Sequence, residues 1–435
     1  MDNNYSQQFY CQSRFWRLAV VNILSNLMVP LASLVDTAFL GHLREIRYLA
    51  GVAIATVLFN YIYWTFGFLR MGTTGLTAQA RGREEAEQVI LILLRNSAIA
   101  LAIGIIILLL QQPLREVGFA LLKAEPQVLD AGRDYYNALI YGAPATLVNF
   151  VLLGWFLGRE EVGKVLLLST VGKGANIVFD YLFIVVWKLE SAGAGAATAI
   201  SQYITLFLGL VLVARQIALR DWHFHWQSLL DFEALKTIFT LNRDILIRTL
   251  ALISTFAVFT NLSGVMGTKV LAGNTLLLQV VTLSAYFIDG IAFATESIAG
   301  NLRGQGKEDR LIPLLKLAGS TSLIAGLGFA TIFCLFPQDL FGLLSDHNEV
   351  IEVVRNYVWW LFPVLGFGAI AYMLDGYFLG LTAGKVLRHS TLIATVFGFA
   401  PVAILAWYWQ TNNLLWLALA LFMTTRSITL LLKIK

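Results

Sequence analysis

The chain is poor in the features that mark a soluble protein of its length. Only 13% of its 435 residues are charged, where an ordinary soluble domain has about one quarter. Its two cysteines, Cys11 and Cys334, lie far apart, so neither a disulfide framework nor a thiolate metal site is expected. Among five histidines, His223 and His225 sit close together, but they lack the third ligand that a metal would need. No GxxxxGK[ST] loop is present, which removes ATP as an energy source. No serine, cysteine and histidine grouping pairs a nucleophile with its base, so an enzyme is not expected. The net charge of +4 falls mainly between apolar runs, so nucleic acid is not expected as a partner.

What the chain has instead is apolar length. It is 58% hydrophobic with a mean hydropathy of +0.71. Runs such as 89–110 and 391–409 are long enough to cross a hydrocarbon core of about 30 Å. Backbone polar groups in lipid must pair among themselves, which leaves a helix bundle or a closed barrel. The runs lack the period-2 alternation of barrel strands. An all-α polytopic membrane protein with twelve spans between residues 14 and 432 is predicted. No cleavable leader is expected in the polar first dozen residues, and span one is expected to be retained. Arginine and lysine crowd one set of loops, which predicts both termini on the cytoplasmic side. Trp222, His223, His225 and Trp226, in the polar connection after span six, read as an interfacial belt.

The chain also repeats itself. At an offset of 222 residues, Arg133 pairs with Arg355, Tyr135 with Tyr357, and the run 154–158 (GWFLG) with 376–380 (GYFLG). Two tandem six-helix repeats are expected: a first lobe over 1–213, a cytoplasmic linker over 214–243 and a second lobe over 244–435. Six is even, so the repeats enter the membrane in the same orientation. Such parallel repeats point to a secondary transporter with its cavity at their interface.

The intramembrane acids break this symmetry. Asp36, Asp180 and Asp375 fall on Val258, Val402 and Leu153 of the opposite half. A charged side chain at the bilayer centre costs about 2.5–3.5 kcal/mol on insertion scales and marks function by default. Asn176 and Asp180 share a face of span five, with Lys173 on nearly the same face. Span six, rich in small residues, brings Thr198. Two acids, an amide and a hydroxyl suit a proton or a sodium ion. The competing structural readings are a static Asp180–Lys173 pair and a capping role for Asp36. Pro30 removes a backbone bond six residues before Asp36, which makes it a kink or a hinge. Asp244, beside Arg243 and Arg248, reads as structural. Asp289 and Glu296 on one face of span eight, with Asp375 in span ten, suit the wall of a cavity that attracts cations. Tyr286 is among the aromatics placed to give cation–π contacts there.

The runs 29–43 (VPLASLVDTAFLGHL), 149–161 (NFVLLGWFLGREE), 176–185 (NIVFDYLFIV) and 285–309 (AYFIDGIAFATESIAGNLRGQGKED) resemble the DinF branch of the MATE (multidrug and toxic compound extrusion) family. The resemblance implies a V-shaped bundle of two six-helix lobes that exports amphipathic, often cationic compounds against an ion gradient. It implies a coupling site of Asp36, Asn176, Asp180 and Thr198, with Tyr135 from span four. It further implies that protonation of Asp36 bends helix one at Pro30. Asn149, Tyr286, Asp289, Glu296 and Asp375 are expected in the substrate cavity. Lys173 departs from the family pattern, where a small or neutral residue is expected, and puts sodium binding at these residues in doubt. The expectation is a proton-coupled multidrug antiporter without cofactor, monomeric, in a bacterial inner membrane. A sodium-coupled antiporter and a lipid-carrier flippase are the alternatives.

Overall fold

The computed structural model describes residues 2–43, 45–122, 124–217, 226–343 and 347–434, without the side chains of 2–11, 226 and 227. Of the expected aromatic belt, Trp222, His223 and His225 lie outside these residues, as do the side chains of Trp226 and Cys11. Twelve helices are long and apolar enough to cross a membrane, and among the described residues there is no strand. Spans one to six are Gln12–Gly41, Ile46–Gly82, Ala86–Leu109, Pro126–Gly158, Val162–Val186 and Glu190–Ile217. Spans seven to twelve are Phe232–Val265, Thr268–Gly304, Glu308–Leu335, Asn348–Gly380, Gly384–Trp409 and Asn412–Leu431. Several run past the hydropathic core. Span two extends twelve residues beyond its expected end at residue 70, through a stretch of small and polar residues. Hydropathy locates the lipid-facing part of a helix, whereas backbone bonding carries the helix onward into water.

Two compact units form, one of residues 24–239 and one of residues 1–23 with 240–435. In the first, span four is the buried hub, with spans two, three and six packed on it; in the second, span ten is the hub for spans eight, nine and twelve. The repeat explains how. Gly154 and Gly158 bring span four against the carbonyls of Arg70 and Thr74 in span two, and Gly376 and Gly380 bring span ten against those of Ala292 and Glu296 in span eight. Each partner is displaced by 222 residues from its counterpart. A methyl group at any of the four glycines would collide with those carbonyls, so the small side chain sets the helix spacing.

The turns after these helices repeat as well. Glu84 (φ 61°) and Gly306 (φ 69°) take the left-handed conformation, followed by bonds from Glu85 N to Ala80 O and from Lys307 N to Leu302 O, both 3.0 Å. Glu160 (φ 58°) and Thr382 (φ 53°) do the same, with Glu161 N to Phe156 O at 2.9 Å and Ala383 N to Phe378 O at 2.8 Å. This is the Schellman cap, which satisfies terminal carbonyls at the helix end. Geometry is retained at these caps even where the side chain is not.

Spans one and seven bury apolar side chains as well, Phe15, Leu18 and Leu40 of the one and Ile245 and Phe259 of the other. Span one runs unbroken through Pro30. In the first unit it meets span five through Met28, whose sulfur accepts from Thr170 Oγ1 at 3.6 Å, and through Phe39 against Tyr181 at 6.2 Å between ring centres. In the second unit a reciprocal amide pair, Asn274 with Asn412 at 2.7 and 3.0 Å, receives Trp416 Nε1 and donates to Ser263, tying spans seven, eight and twelve at one end.

Candidate functional site

The first unit gathers five of the expected residues. Asp180 is fully buried, and Asn176 one turn before it donates from Nδ2 to Asp180 Oδ2 at 2.8 Å and to Thr198 Oγ1 at 3.4 Å. Thr198 in turn donates to the Ala194 carbonyl at 3.1 Å. From span one, the half-buried carboxyl of Asp36 faces that of Asp180 within hydrogen-bonding range. Tyr135 is buried beside them, its hydroxyl in reach of Thr56 and Thr198. Oδ1 of each carboxyl has no donor among the described residues. A proton on one acid would give the pair the hydrogen bond that two bare carboxylates cannot make.

Local sequence builds this geometry. Four-residue spacing stacks Asn176 over Asp180 on one helix face. Gly195 lets span six approach the Tyr135 backbone closely, which sets Thr198 next to the tyrosine. Directly after Asp180 the helix widens into a π-helical segment, Tyr181–Val186, a distortion that often accompanies functional sites. Lys173, at the middle of span five, interacts electrostatically with both acids without entering the contact set. Thr56 was not anticipated; its short hydroxyl on an apolar helix gives no pattern to read.

Of the residues assigned to a substrate cavity, Asn149 lies in the first unit and Tyr286, Asp289, Glu296 and Asp375 lie in the second. Asn149 is buried, with Nδ2 donating to both the carbonyl and Oε1 of Gln202 at 2.9 Å, as a tie between spans four and six. Glu296 is fully buried in span eight, where Gly380 presses on its backbone. Asp375 is held in the second unit by Arg248 of span seven and Arg426 of span twelve, all three buried. The Arg426 guanidinium lies 5.5 Å over the Tyr372 ring. Asp289 acts electrostatically on Arg426, Tyr372 and Tyr286. Arg248 therefore serves Asp375 rather than the neighbouring Asp244, which pairs with Arg243 at 3.2 Å and with Arg388 at 2.6 Å. The sequence set Arg248 beside Asp244 and gave no sign of Arg426, because their partner Asp375 lies 127 and 51 residues away.

Two clefts lie away from the carboxyl cluster. One of about 560 Å³ in the first unit is lined by Gln79, Arg83, Glu87 and Arg95. Another of about 390 Å³ in the second unit is lined by Thr255, Val258, Thr395, Phe399 and Trp407. Among the described residues, no group of histidine, cysteine and acidic side chains is arranged for a metal.

A twelve-span bundle of repeated units with a buried acid cluster has the build of a membrane transporter, and comparison with known proteins gives the family. The MatE family model matches residues 22–182 and 245–409, segments that begin 223 residues apart, in step with the internal offset. The chain belongs to the MATE family of transporters. It is 34% identical over 425 residues to DNA damage-inducible protein F of Escherichia coli (strain K12), covering 95% of this chain and 90% of that protein. It is 22% identical over 346 residues to a probable multidrug resistance protein NorM of Thermotoga maritima, covering 78% of this chain and 73% of the relative. A MATE protein crystallised in a bent conformation shares the fold with a TM-score of 0.86 at 20% identity, over 97% of this chain and 94% of that one.

Proposed function

We propose that this MATE transporter is a proton-coupled antiporter that exports amphipathic organic cations, with Asp36 and Asp180 as its coupling pair. The observation that carries this reading is the meeting of two intramembrane carboxyls, Asp36 on span one and Asp180 on span five, each with an Oδ1 that has no donor among the described residues. Like charges in a shared buried site resist joint ionisation, so the pair holds a proton more readily than either acid alone. Protonation of Asp36 would remove the repulsion between spans one and five. Pro30 lacks the backbone bond to the preceding turn, so span one can bend there at small cost once that repulsion is gone. The bent form crystallised for a protein of the same fold is in keeping with such a step. Asn176 and Thr198 hold Asp180 in place, and Tyr135 closes the cluster from span four.

In the second unit the acid of span ten is differently placed. Asp375 carries two guanidinium partners, which leaves its charge already answered and its helices tied. The cluster of basic loops on one side and the bacterial relative favour a bacterial inner membrane with both termini cytoplasmic.

The test is dye export from proteoliposomes with proton and sodium gradients imposed separately. Wild type is expected to export under the proton gradient. Asp36→Asn is expected to abolish export while the protein remains folded and monodisperse. Export by Asp36→Asn at the wild-type rate would sink the mechanism.

A further inference from the structure

We propose that the cleft of about 560 Å³ in the first unit binds the headgroup of an aminophospholipid, with the phosphate on Arg95 and the primary ammonium on Glu87. The site stands apart from the carboxyl pair and does not depend on it.

The level of the cleft is the first observation. Its walls are the end of span two from Leu76 to Arg83, the start of span three from Glu85 to Arg95, and the start of span seven from Ala234 to Ile238. These are the polar ends by which spans two and seven run past their apolar cores, and a bilayer has its headgroups at that depth. Ile92 and Ile238 are buried in the same walls and give them an apolar side. An amphipathic occupant needs both kinds of surface, and basic pockets between spans at this level are where lipid headgroups bind.

An unanswered cation is the second. Arg95 is 5% exposed, and it donates from Nε to the Leu229 carbonyl at 3.3 Å and from Nη2 to the Ser228 carbonyl. Carbonyls satisfy a guanidinium's hydrogens without cancelling its charge. Among the described residues Arg95 forms no ion pair. Asp231 acts on it electrostatically, but that carboxylate caps the start of span seven, accepting from Glu233 N at 3.0 Å and Ala234 N at 3.5 Å. At an offset of 222 the other half has Leu317, so the repeated scaffold needs no cation at this point. A phosphate is the anion that a guanidinium's planar fork suits.

The remaining charges choose the headgroup. Arg83 and Glu85 pair with each other at 2.9 Å and cancel. That leaves Glu87, exposed one residue into span three and without an ion pair among the described residues. Arg95 is eight residues further on, about 12 Å along the axis, and a helical side chain leans back toward the helix start. The deep cation and outer anion match a phospholipid whose phosphate adjoins the glycerol and whose amine points outward. An anionic headgroup would meet Glu87, and a simple cationic amphiphile would meet Arg95. No described residue lining the cleft is aromatic, so it lacks the cage that a quaternary ammonium prefers. Glu87 and Gln88 supply oxygen acceptors for the N–H groups of a primary one.

Thermal unfolding of the full-length protein in mixed micelles tests this. Phosphatidylethanolamine, phosphatidylcholine and phosphatidylglycerol with the same acyl chains are added at matched mole fraction, with inorganic phosphate as the soluble arm. Wild type is expected to be stabilised most by the ethanolamine lipid and not by inorganic phosphate. Glu87→Gln, at an exposed position, is expected to fold normally and lose the preference for ethanolamine over glycerol. Arg95→Gln removes the charge but keeps a donor for the carbonyls, and is expected to weaken ethanolamine-lipid binding at least about tenfold; Arg95→Lys should recover part of it. Equal stabilisation of wild type by the three lipids, stabilisation by inorganic phosphate alone, or an unchanged lipid preference in Glu87→Gln overturns the proposal. So does a folded Arg95→Gln that binds as tightly as wild type. Should that variant not fold, Glu87→Lys decides: its preference is expected to turn to the glycerol lipid, and a preference like that of wild type refutes the site.

Discussion

Spans one and seven occupy the same place in the two repeats, yet they are secured by opposite means. Span seven is held by buried charges: Arg248 on Asp375 of span ten, and Asp244 on Arg388 of span eleven at 2.6 Å. A hydroxyl pair, Thr255 with Thr395 at 3.2 Å, adds to the second contact. Span one within its unit has a sulfur contact, an aromatic contact and two carboxyls that face each other. At the position of Asp36 span seven has Val258, which lines an apolar cleft. A helix held by opposite charges resists movement; one whose main polar contact is between like groups waits on a proton. On the proposed mechanism the same scaffold yields a fixed helix and a switchable one.

Removing the tether should have the largest effect on stability. Asp375→Asn leaves two buried guanidiniums without their carboxylate, a loss expected to cost about 3–5 kcal/mol. Thermal unfolding in detergent should show it, and a stability equal to wild type would mean that span seven is held some other way. The repeated glycine contacts come next. Gly154→Val and Gly376→Val overpack the same helix crossing in the two units, each expected to cost about 1–3 kcal/mol. Unequal losses, read by the same unfolding assay, would break the equivalence of the hubs. Asn176→Ala deletes the donor to Asp180 and is expected to cost about 1 kcal/mol, together with slower proton-driven export. Smallest in stability is Asp36→Asn, expected within about 0.5 kcal/mol of wild type although export is lost. A stability loss there as large as that of Asp375→Asn would show that span one is tethered too, and the contrast would fail. Pro30→Ala, which restores a backbone bond in the middle of span one, is expected to slow export without lowering the unfolding temperature.

Much of this was legible in the chain because the bilayer leaves few choices. Apolar length fixed the twelve spans, the absence of period-2 alternation fixed their helical character, and GWFLG beside GYFLG exposed the repeat. The coupling cluster was legible too, since Asn176 and Asp180 declare a common face by spacing alone. Glu84 and Gly306 show where reading stops. They form the same left-handed cap with no likeness of side chain, because a cap is set by backbone bonds that sequence identity does not record. Asn149 shows another limit: sequence gave no sign that its amide donates to Gln202 of span six, 53 residues away.

The sequence by itself determined that the chain crosses a membrane, how often, in what repeat, and which acids pay the cost of lying in lipid. Those are consequences of composition and period, and they hold residue by residue. Only the tertiary structure decided which acids are answered by a cation and which are left facing one another. Arg248 meets Asp375 across 127 residues and Arg426 meets it across 51, while Asp36 meets Asp180. Electrostatic energy depends on distance in space, steeply so where the dielectric is low. The same residue type is therefore a tether in one unit and, in the proposed mechanism, a switch in the other.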